Sequence, residues 1–316
     1  MLREKRVSST KKEEEKKQEI ILPSTIDLFV TLKCNFNCPY CYLPKNISIK
    51  ESVNKNLLRL LEAKGVKNIY ILGGEPFLLG DKLVEIIKYC CHKKIKILGI
   101  STNGSIINKK TLNLINILRI PLQVSLDASN SRAYRVIRNS DKFKIILRNI
   151  KKMIEKECTV ILSMVLTKFN YQEIPAFVNL AKLLKVKKIS LGSFISVGKG
   201  EKVKNWILND RQVEEVKNLI FKIDNKIEII GLKDNNCPAI KDSAAILPNG
   251  DIYPCPLFFS FPEAKLGNIY NQHCFLNART HQILHYSPSP RCSLGISSVN
   301  FKYCKAFIYS NLRNTL

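Results

Sequence analysis

Three cysteines fall within the stretch TLKCNFNCPYCYLPKN: Cys34, Cys38 and Cys41. Cut at Cys38-Pro39-Tyr40-Cys41, the stretch has the form of a thiol–disulfide exchange site. With Cys34 included, the trio suits a zinc knuckle or a cradle for iron and sulfur. A closed zinc or iron–sulfur site takes about four protein ligands. Three thiols therefore leave one coordination position for something exchangeable: a water on zinc, a small chelating molecule on a four-iron cluster. Asn35, Asn37 and Pro39 favour turns, which lets neighbouring thiolates converge. No histidine precedes His92 to complete a zinc site, and a small redox fold would have no use for Cys34.

Whatever the thiols hold must be positioned by the elements around them. From Ile20 onward short apolar runs alternate with segments of helical period. Strands are predicted at 26–32, 68–72, 95–102, 122–126, 159–166 and 187–192. Helices are predicted at about 51–64, 81–93, 108–118, 141–157, 172–185 and 210–225, with a loop at 193–206. Six strand–helix alternations imply parallel strands with right-handed crossovers, an α/β fold. The count suits an open or partial (βα)6 barrel whose site lies at the C-terminal ends of the strands. The cysteine stretch follows the first strand and so sits on that face. There too fall Gly73-Gly74-Glu75-Pro76 after the second strand, Ser101-Thr102-Asn103-Gly104 at the third, and Val124-Ser125-Leu126-Asp127 at the fourth. Paired glycines let backbone approach a ligand closely, and Pro76 can start the next segment. Each short polar group alone reads as a helix cap; their repetition on one face points to a binding mouth.

The spacing of Cys34, Cys38 and Cys41, with Tyr40 before the last thiol, followed by Gly-Gly-Glu-Pro, resembles the radical S-adenosylmethionine (SAM) enzymes. The similarity runs from about 24 to 195. The resemblance implies a 4Fe–4S cluster on the three cysteines, with SAM chelating the remaining iron. It implies that Gly73, Gly74 and Glu75, with Pro76 behind them, hold the methionine amino group. Ser101, Asn103, Ser125 and Asp127 would line the ribose and methionine side, Tyr40 the adenine, and Arg138 the SAM carboxylate. No clean counterpart of the family's fifth-strand adenine motif is found. The chemistry implied is reductive cleavage of SAM to a 5′-deoxyadenosyl radical that abstracts hydrogen, fed by a reducing partner such as ferredoxin or flavodoxin.

After about 236 the alternation gives way to Pro, Asn, Gly, Cys and aromatics. SAAILPNGDIYPC reads as two short strands around an Asn249-Gly250 hairpin. Cys237, Gly250 and Cys255, then Leu266-Gly267-Asn268-Ile269 and a helical stretch, resemble the SPASM or shorter Twitch extension over about 237–307. A full extension has more cysteines than the Cys292 and Cys304 that follow. One auxiliary cluster is expected on Cys237, Cys255 and Cys304, with Cys292 or Cys274 as fourth ligand; a vestigial unit with free thiols or zinc is the rival. His281 and His285 could share a helix face but read as surface or packing residues. The chain thus divides into a charged tail at 1–22, a core at 23–232 and a small α+β extension at 233–316.

The remaining composition mostly excludes. No run approaches the ~20 apolar residues of a membrane span. The Lys/Glu-rich start lacks a secretory apolar region, so a cytoplasmic location is expected. Lys and Arg exceed Asp and Glu by 51 − 26 = 25. The lysines are dispersed, which suits a basic solvated surface better than a nucleic-acid interface. Cys90, Cys91 and Cys158 are expected as buried small hydrophobes. The SPASM resemblance favours a peptide or protein substrate, with a separate leader-binding protein, because little sequence precedes Ile26. The rivals are a small-molecule enzyme of cofactor biosynthesis and a non-catalytic cluster- or nucleic-acid-binding protein.

Overall fold

The structure, a computed structural model, describes residues 22–44, 49–223, 226–231 and 243–271. Seven parallel strands follow one another across a sheet: β1 (Thr25–Phe29), β2 (Asn68–Leu72), β3 (Lys96–Thr102), β4 (Leu122–Ser125), β5 (Val160–Leu166), β6 (Lys188–Ser193) and β7 (Glu228–Ile230). On the other side of β1 the sheet continues through β8 (Ser243–Ile246), parallel to β1, and the antiparallel β9 (Asp251–Tyr253) and β10 (Gly267–Asn268). This is the expected α/β partial barrel, with two differences. The three-residue β7 adds a strand that the sequence reading missed. The expected Asn249-Gly250 hairpin forms, but its first strand lengthens the core sheet by pairing with β1.

Seven helices are described: α1 (Lys55–Ala63), α2 (Asp81–His92), α3 (Lys109–Ile117), α4 (Ser131–Arg138), α5 (Phe143–Glu155), α6 (Ile174–Leu183) and α7 (Asp210–Phe221). Asn54, Asn108, Asn130 and Asn209 cap α1, α3, α4 and α7, each accepting a hydrogen bond from a first-turn backbone N–H that would otherwise lack a partner. The unforeseen helix is α4, only eight residues of arginine-rich sequence that turns Tyr134, Ile137 and Arg138 inward. Asn139, in the left-handed conformation at φ 50°, ends it and frees α5 to start anew.

Alternation along the strands sorts the two faces. Ile26, Leu28, Ile69, Ile71, Leu122, Val124, Leu162 and Met164 join the core shared with the helices. Their neighbours Asp27, Phe29, Tyr70, Ser101, Gln123, Ser125 and Ser163 point to the concave face. A second apolar cluster, built on Phe29, Ala245, Leu247, Tyr253, Phe258 and Phe259, joins the barrel to the hairpin. Phe29 packs edge-on against both Tyr42 and Phe259, at 6.3 and 4.8 Å between centroids. Among the described residues no helix is long and apolar enough to cross a membrane.

Candidate active site

β1 ends at Phe29, earlier than expected: Val30 still donates to Leu72 O at 2.9 Å but turns its carbonyl to Val53 N–H, and Thr31 bridges to Ser52. The loop that follows carries Cys34, exposed, Cys41, half-exposed, and Cys38, buried. It turns back on itself through Phe36 N–H donating to Cys34 Sγ at 3.4 Å and Cys41 N–H donating to Cys38 O at 3.3 Å. Three neighbouring segments brace it. Gly74 N–H donates to Thr31 O at 2.8 Å and Glu75 N–H to Lys33 O at 2.9 Å. Asn103 Nδ2 donates to Asn35 Oδ1 at 2.8 Å, while Asn35 Nδ2 donates to Ser105 Oγ at 2.9 Å. From the loop after β6, Gly200 N–H donates to Cys41 O at 3.2 Å and Lys199 Nζ to Asn37 Oδ1 at 3.1 Å.

The paired glycines serve this brace. A Cβ on Gly73 would sit 2.6 Å from Thr31 O, and one on Gly74 would sit 2.4 Å from Lys33 O. Pro76, buried, opens the short 3-10 turn Pro76–Leu79. The Glu75 carboxylate is fully enclosed and accepts from Phe77 N–H (3.0 Å), Thr102 Oγ1 (2.8 Å) and Asn103 N–H (2.6 Å). Burial raises its pKa, and those same donors oppose the rise. Glu75 thus ties the end of β2 to the end of β3. Ser101 and Ser125 stay half-buried on the concave face, clear of this network.

Asp127 sits just past β4 in the left-handed region at φ 59° and is completely buried. Its Oδ2 accepts from Tyr40 OH at 2.5 Å and from Arg138 Nη1 at 3.0 Å; its Oδ1 accepts from Val165 N–H at 2.7 Å. Arg138 Nη1 also donates to Tyr40 OH at 2.6 Å. Arg138 lies over the rings of Phe36 and Tyr40, at 5.5 and 5.9 Å from their centroids. Burial disfavours the Arg138 charge, yet Tyr40, Cys38 and Asp127 outweigh it and hold its pKa well above the ordinary range. Tyr40, Asp127 and Arg138 therefore form one buried charge network that fastens the cysteine loop to β4, β5 and α4. Arg138 Nε and Tyr134 OH are both buried in it and, among the described residues, have no other group to bond than each other.

The donor set fits an iron–sulfur cluster with one open iron. Three thiols share one loop, and Cys34 and Cys41 reach solvent. Burial pushes the Cys38 thiol up to about 11 and raises Cys41, while Arg138 opposes both and Lys199 also opposes at Cys41. The nearby cations thus favour thiolate, and ligation would release the protons that burial retains. Among the described residues no three His, Cys, Asp or Glu side chains converge on a single metal ion. A cube's cysteines each bind a separate iron, so three thiols carried by one loop suit such a cluster.

Sequence reasoning missed Asn170, which is buried and donates to Asp127 O and Val165 O, both at 2.9 Å. It also missed the brace from Gly198 to Gly200; the SVGKG glycine pair was its only visible signal. Cys91 is a correction: Cys90 and Cys158 are buried as expected, but Cys91 is exposed, one helical step past the core-facing Cys90. Of the auxiliary set only Cys255, half-buried beside the second apolar cluster, is described. Cys237, Cys274, Cys292, Cys304, His281, His285, the helix expected near 275–285 and the charged tail before residue 22 lie outside the described residues.

The Radical SAM superfamily model matches residues 28–181, and the SPASM iron–sulfur cluster-binding domain model matches 237–282. The antilisterial bacteriocin subtilosin biosynthesis protein AlbA of Bacillus subtilis is 28% identical over 80% of the chain and 59% of its own length. The Fe-coproporphyrin III synthase of Methanosarcina barkeri is 26% identical over 66% of the chain and 55% of its own. The chain thus spans little more than half of these curated relatives. Among solved structures, Streptococcus suis SuiB bound to precursor peptide SuiA superposes with a TM-score of 0.70 at 19% identity, over 94% of this chain and 74% of that one. The AdoMet-bound anSMEcpe superposes at 0.64 with 18% identity, over 82% and 78%. At such identities the structures bear on the fold alone.

Proposed function

The chain belongs to the radical SAM superfamily and carries a SPASM-type extension, and we propose that it is a maturase that modifies a peptide or protein. Its core holds a 4Fe–4S cluster and SAM, which when bound supply a 5′-deoxyadenosyl radical able to take hydrogen from an unactivated carbon. Cys34, Cys38 and Cys41 would hold the cluster. The Gly73–Gly74 segment would present the SAM methionine group with backbone, and Glu75 would keep that segment registered against Thr102 and Asn103. Arg138, with Nη1 committed to Tyr40 and Asp127, would meet the SAM carboxylate with its remaining guanidinium donors. Asp127 and Tyr40 hold that guanidinium in orientation.

One observation carries this reading: a three-thiol loop after β1 clamped from the ends of β2, β3 and β6. The peptide assignment rests on the SPASM extension and on a relative whose name gives bacteriocin biosynthesis. The coproporphyrin synthase among the relatives favours a second reading, a small-molecule substrate. An electron donor of ferredoxin or flavodoxin type, a reducing cytoplasmic setting and a separate leader-binding protein complete the proposal. Cys255, with Cys237, Cys304 and one of Cys274 or Cys292, would hold one auxiliary cluster.

The test is anaerobic incubation of the reconstituted, reduced chain with SAM, reading 5′-deoxyadenosine by chromatography. Wild type should form it and Cys34→Ala should not. Equal yields, or none from a fully loaded wild type, would overturn the enzyme reading. A yield raised by porphyrins but by no peptide would favour the second reading.

A further inference from the structure

On the concave face of the barrel one acid is left out of every network. Strand alternation sends Ile26 and Leu28 into the helix-side core and Asp27 into the lumen. The register places Asp27 between Tyr70 of β2 and Ala245 of β8. Phe29 is the next inward residue of β1, so Asp27 lies about 7 Å further from the thiol loop along the strand. Asp27 keeps part of its surface exposed, and among the described residues it makes no hydrogen bond or ion pair.

The other enclosed acids are treated differently. Glu75 accepts from three donors, Asp127 from three, and Glu173 from Ser129 and Asn130. The groups facing Asp27 are the phenols of Tyr70 from β2 and Tyr42 from the cysteine loop, both raised further by its charge; Ala245 from β8 carries none. Gly99, beside Tyr70 on β3, adds no side chain to fill the space. Further round the same face Ser101, Gln123, Ser125 and Ser163 are uncharged, and Lys188 of β6 is already paired with Glu228 of β7 at 2.8 Å. Asp27 is thus the carboxylate of this face that lacks a cation among the described residues, inside a chain of net charge +25, and such a group selects for one.

We propose that Asp27 is a substrate-recognition residue, binding the protonated amine or guanidinium of a lysine or arginine side chain in the molecule that loses hydrogen. This rests on the peptide reading above. A charge-assisted hydrogen bond supplies both attraction and orientation, which sets the target carbon against the radical source. Burial holds the Asp27 carboxyl at about 6, so it is ionised at neutral pH, and a bound cation would lower it.

The test uses the full chain, cluster-reconstituted and SAM-bound, with capped alanine pentapeptides whose central residue is lysine, arginine, norleucine, glutamine or glutamate. Affinities come from ligand-observed NMR on wild type, Asp27→Asn and Asp27→Lys. Wild type should bind the lysine and arginine peptides about tenfold more tightly than the norleucine peptide. Asp27→Asn should lose that preference, Asp27→Lys should turn it towards glutamate, and the wild-type preference should fade below about pH 6. A lysine preference that survives in Asp27→Asn would overturn the proposal. So would a wild type that binds all five alike or binds none. Iron content and SAM affinity report that each variant is folded, and Asp27→Ser replaces any that does not load. If wild type fails to cleave SAM, the enzyme reading fails instead, so the two failures are separable.

Discussion

Gly74→Ala is the sharpest probe of how the cysteine loop is held. Neither Gly73 nor Gly74 has a positive φ, so the demand for glycine there is steric and not conformational. An alanine Cβ at 74 would lie 2.4 Å from Lys33 O, 2.6 Å from Leu32 O and 2.6 Å from Lys33 C. All three atoms are backbone of the loop, so no side chain can swing aside and the segments must part. Overpacking costs about 1–3 kcal/mol, and the loss of one adjoining hydrogen bond adds about 0.5–1.5 kcal/mol. A total near 3 kcal/mol is roughly a hundredfold shift against the closed loop. Gly192→Ala in β6 is the control, because a Cβ there meets nothing within 4 Å and should change stability by less than about 0.5 kcal/mol. Iron per chain after reconstitution, the rate of iron loss to a chelator, and urea unfolding of the apo chain should separate the two variants. If Gly74→Ala loads iron, resists the chelator and unfolds like Gly192→Ala, the close approach does not hold the loop.

Asp127→Asn leaves the Arg138 cation buried without its anion and should cost about 3–5 kcal/mol, read as a lower unfolding midpoint; Tyr40→Phe keeps the ion pair and should cost about 1 kcal/mol. Asn103→Ala removes the latch to Asn35 and the bonds to Ser105, so iron should leave for a chelator about tenfold faster, with little change in global unfolding. Asp27→Asn should stabilise the apo fold, with a defined pH dependence. The folded carboxyl is raised from 3.8 to about 6, so the stability that Asp27 contributes in its neutral form is lost as pH rises through that window. The variant's advantage should be absent near pH 4, grow to pH 6 and then level off. The gap of about 2.2 units at ~1.36 kcal/mol each sets a ceiling near 3 kcal/mol, and partial solvation brings it to about 1–2 kcal/mol. A constant difference at every pH would contradict the unpaired placement of Asp27.

The six longer strands and the amphipathic helices were legible because one face of each repeats with the period of its element. What escaped has physical reasons. In α4, eight residues with three arginines hide an inward face of Tyr134, Ile137 and Arg138 beneath a polar composition. β7 has too few residues to show a period, and the pairing of β8 with β1 joins segments some 218 positions apart, which no local pattern encodes. The site was half legible. Residue types and spacing singled out Cys34, Cys38 and Cys41, and the family resemblance added Glu75, Asn103, Asp127 and Arg138, but neither gave the connections among them. Thr102 shows the limit: it was given no role of its own between Ser101 and Asn103, yet it alternates to the face where Glu75 is enclosed and donates to that carboxylate.

Two aspartates in this barrel, Asp127 wholly and Asp27 partly removed from water, are treated in opposite ways. Asp127 has a backbone N–H, a phenol and a guanidinium, drawn from segments up to 87 positions away in the chain. Such a network stabilises only when every member is present, because each partner left alone is a buried polar group. It therefore couples closure of the barrel mouth to the fold of the cysteine loop, since Tyr40 lies between Cys38 and Cys41. Asp27 is held by nothing of the kind, although serines, tyrosines and a glutamine line the same face. Replacing Ala245 opposite it with a donor, as in Ala245→Ser, would be a small change in sequence and would relieve the cost. That the chain satisfies one carboxylate three times over and leaves the other without a partner among the described residues is what the proposed role of Asp27 explains: its cost in stability would be recovered when a cation enters the lumen.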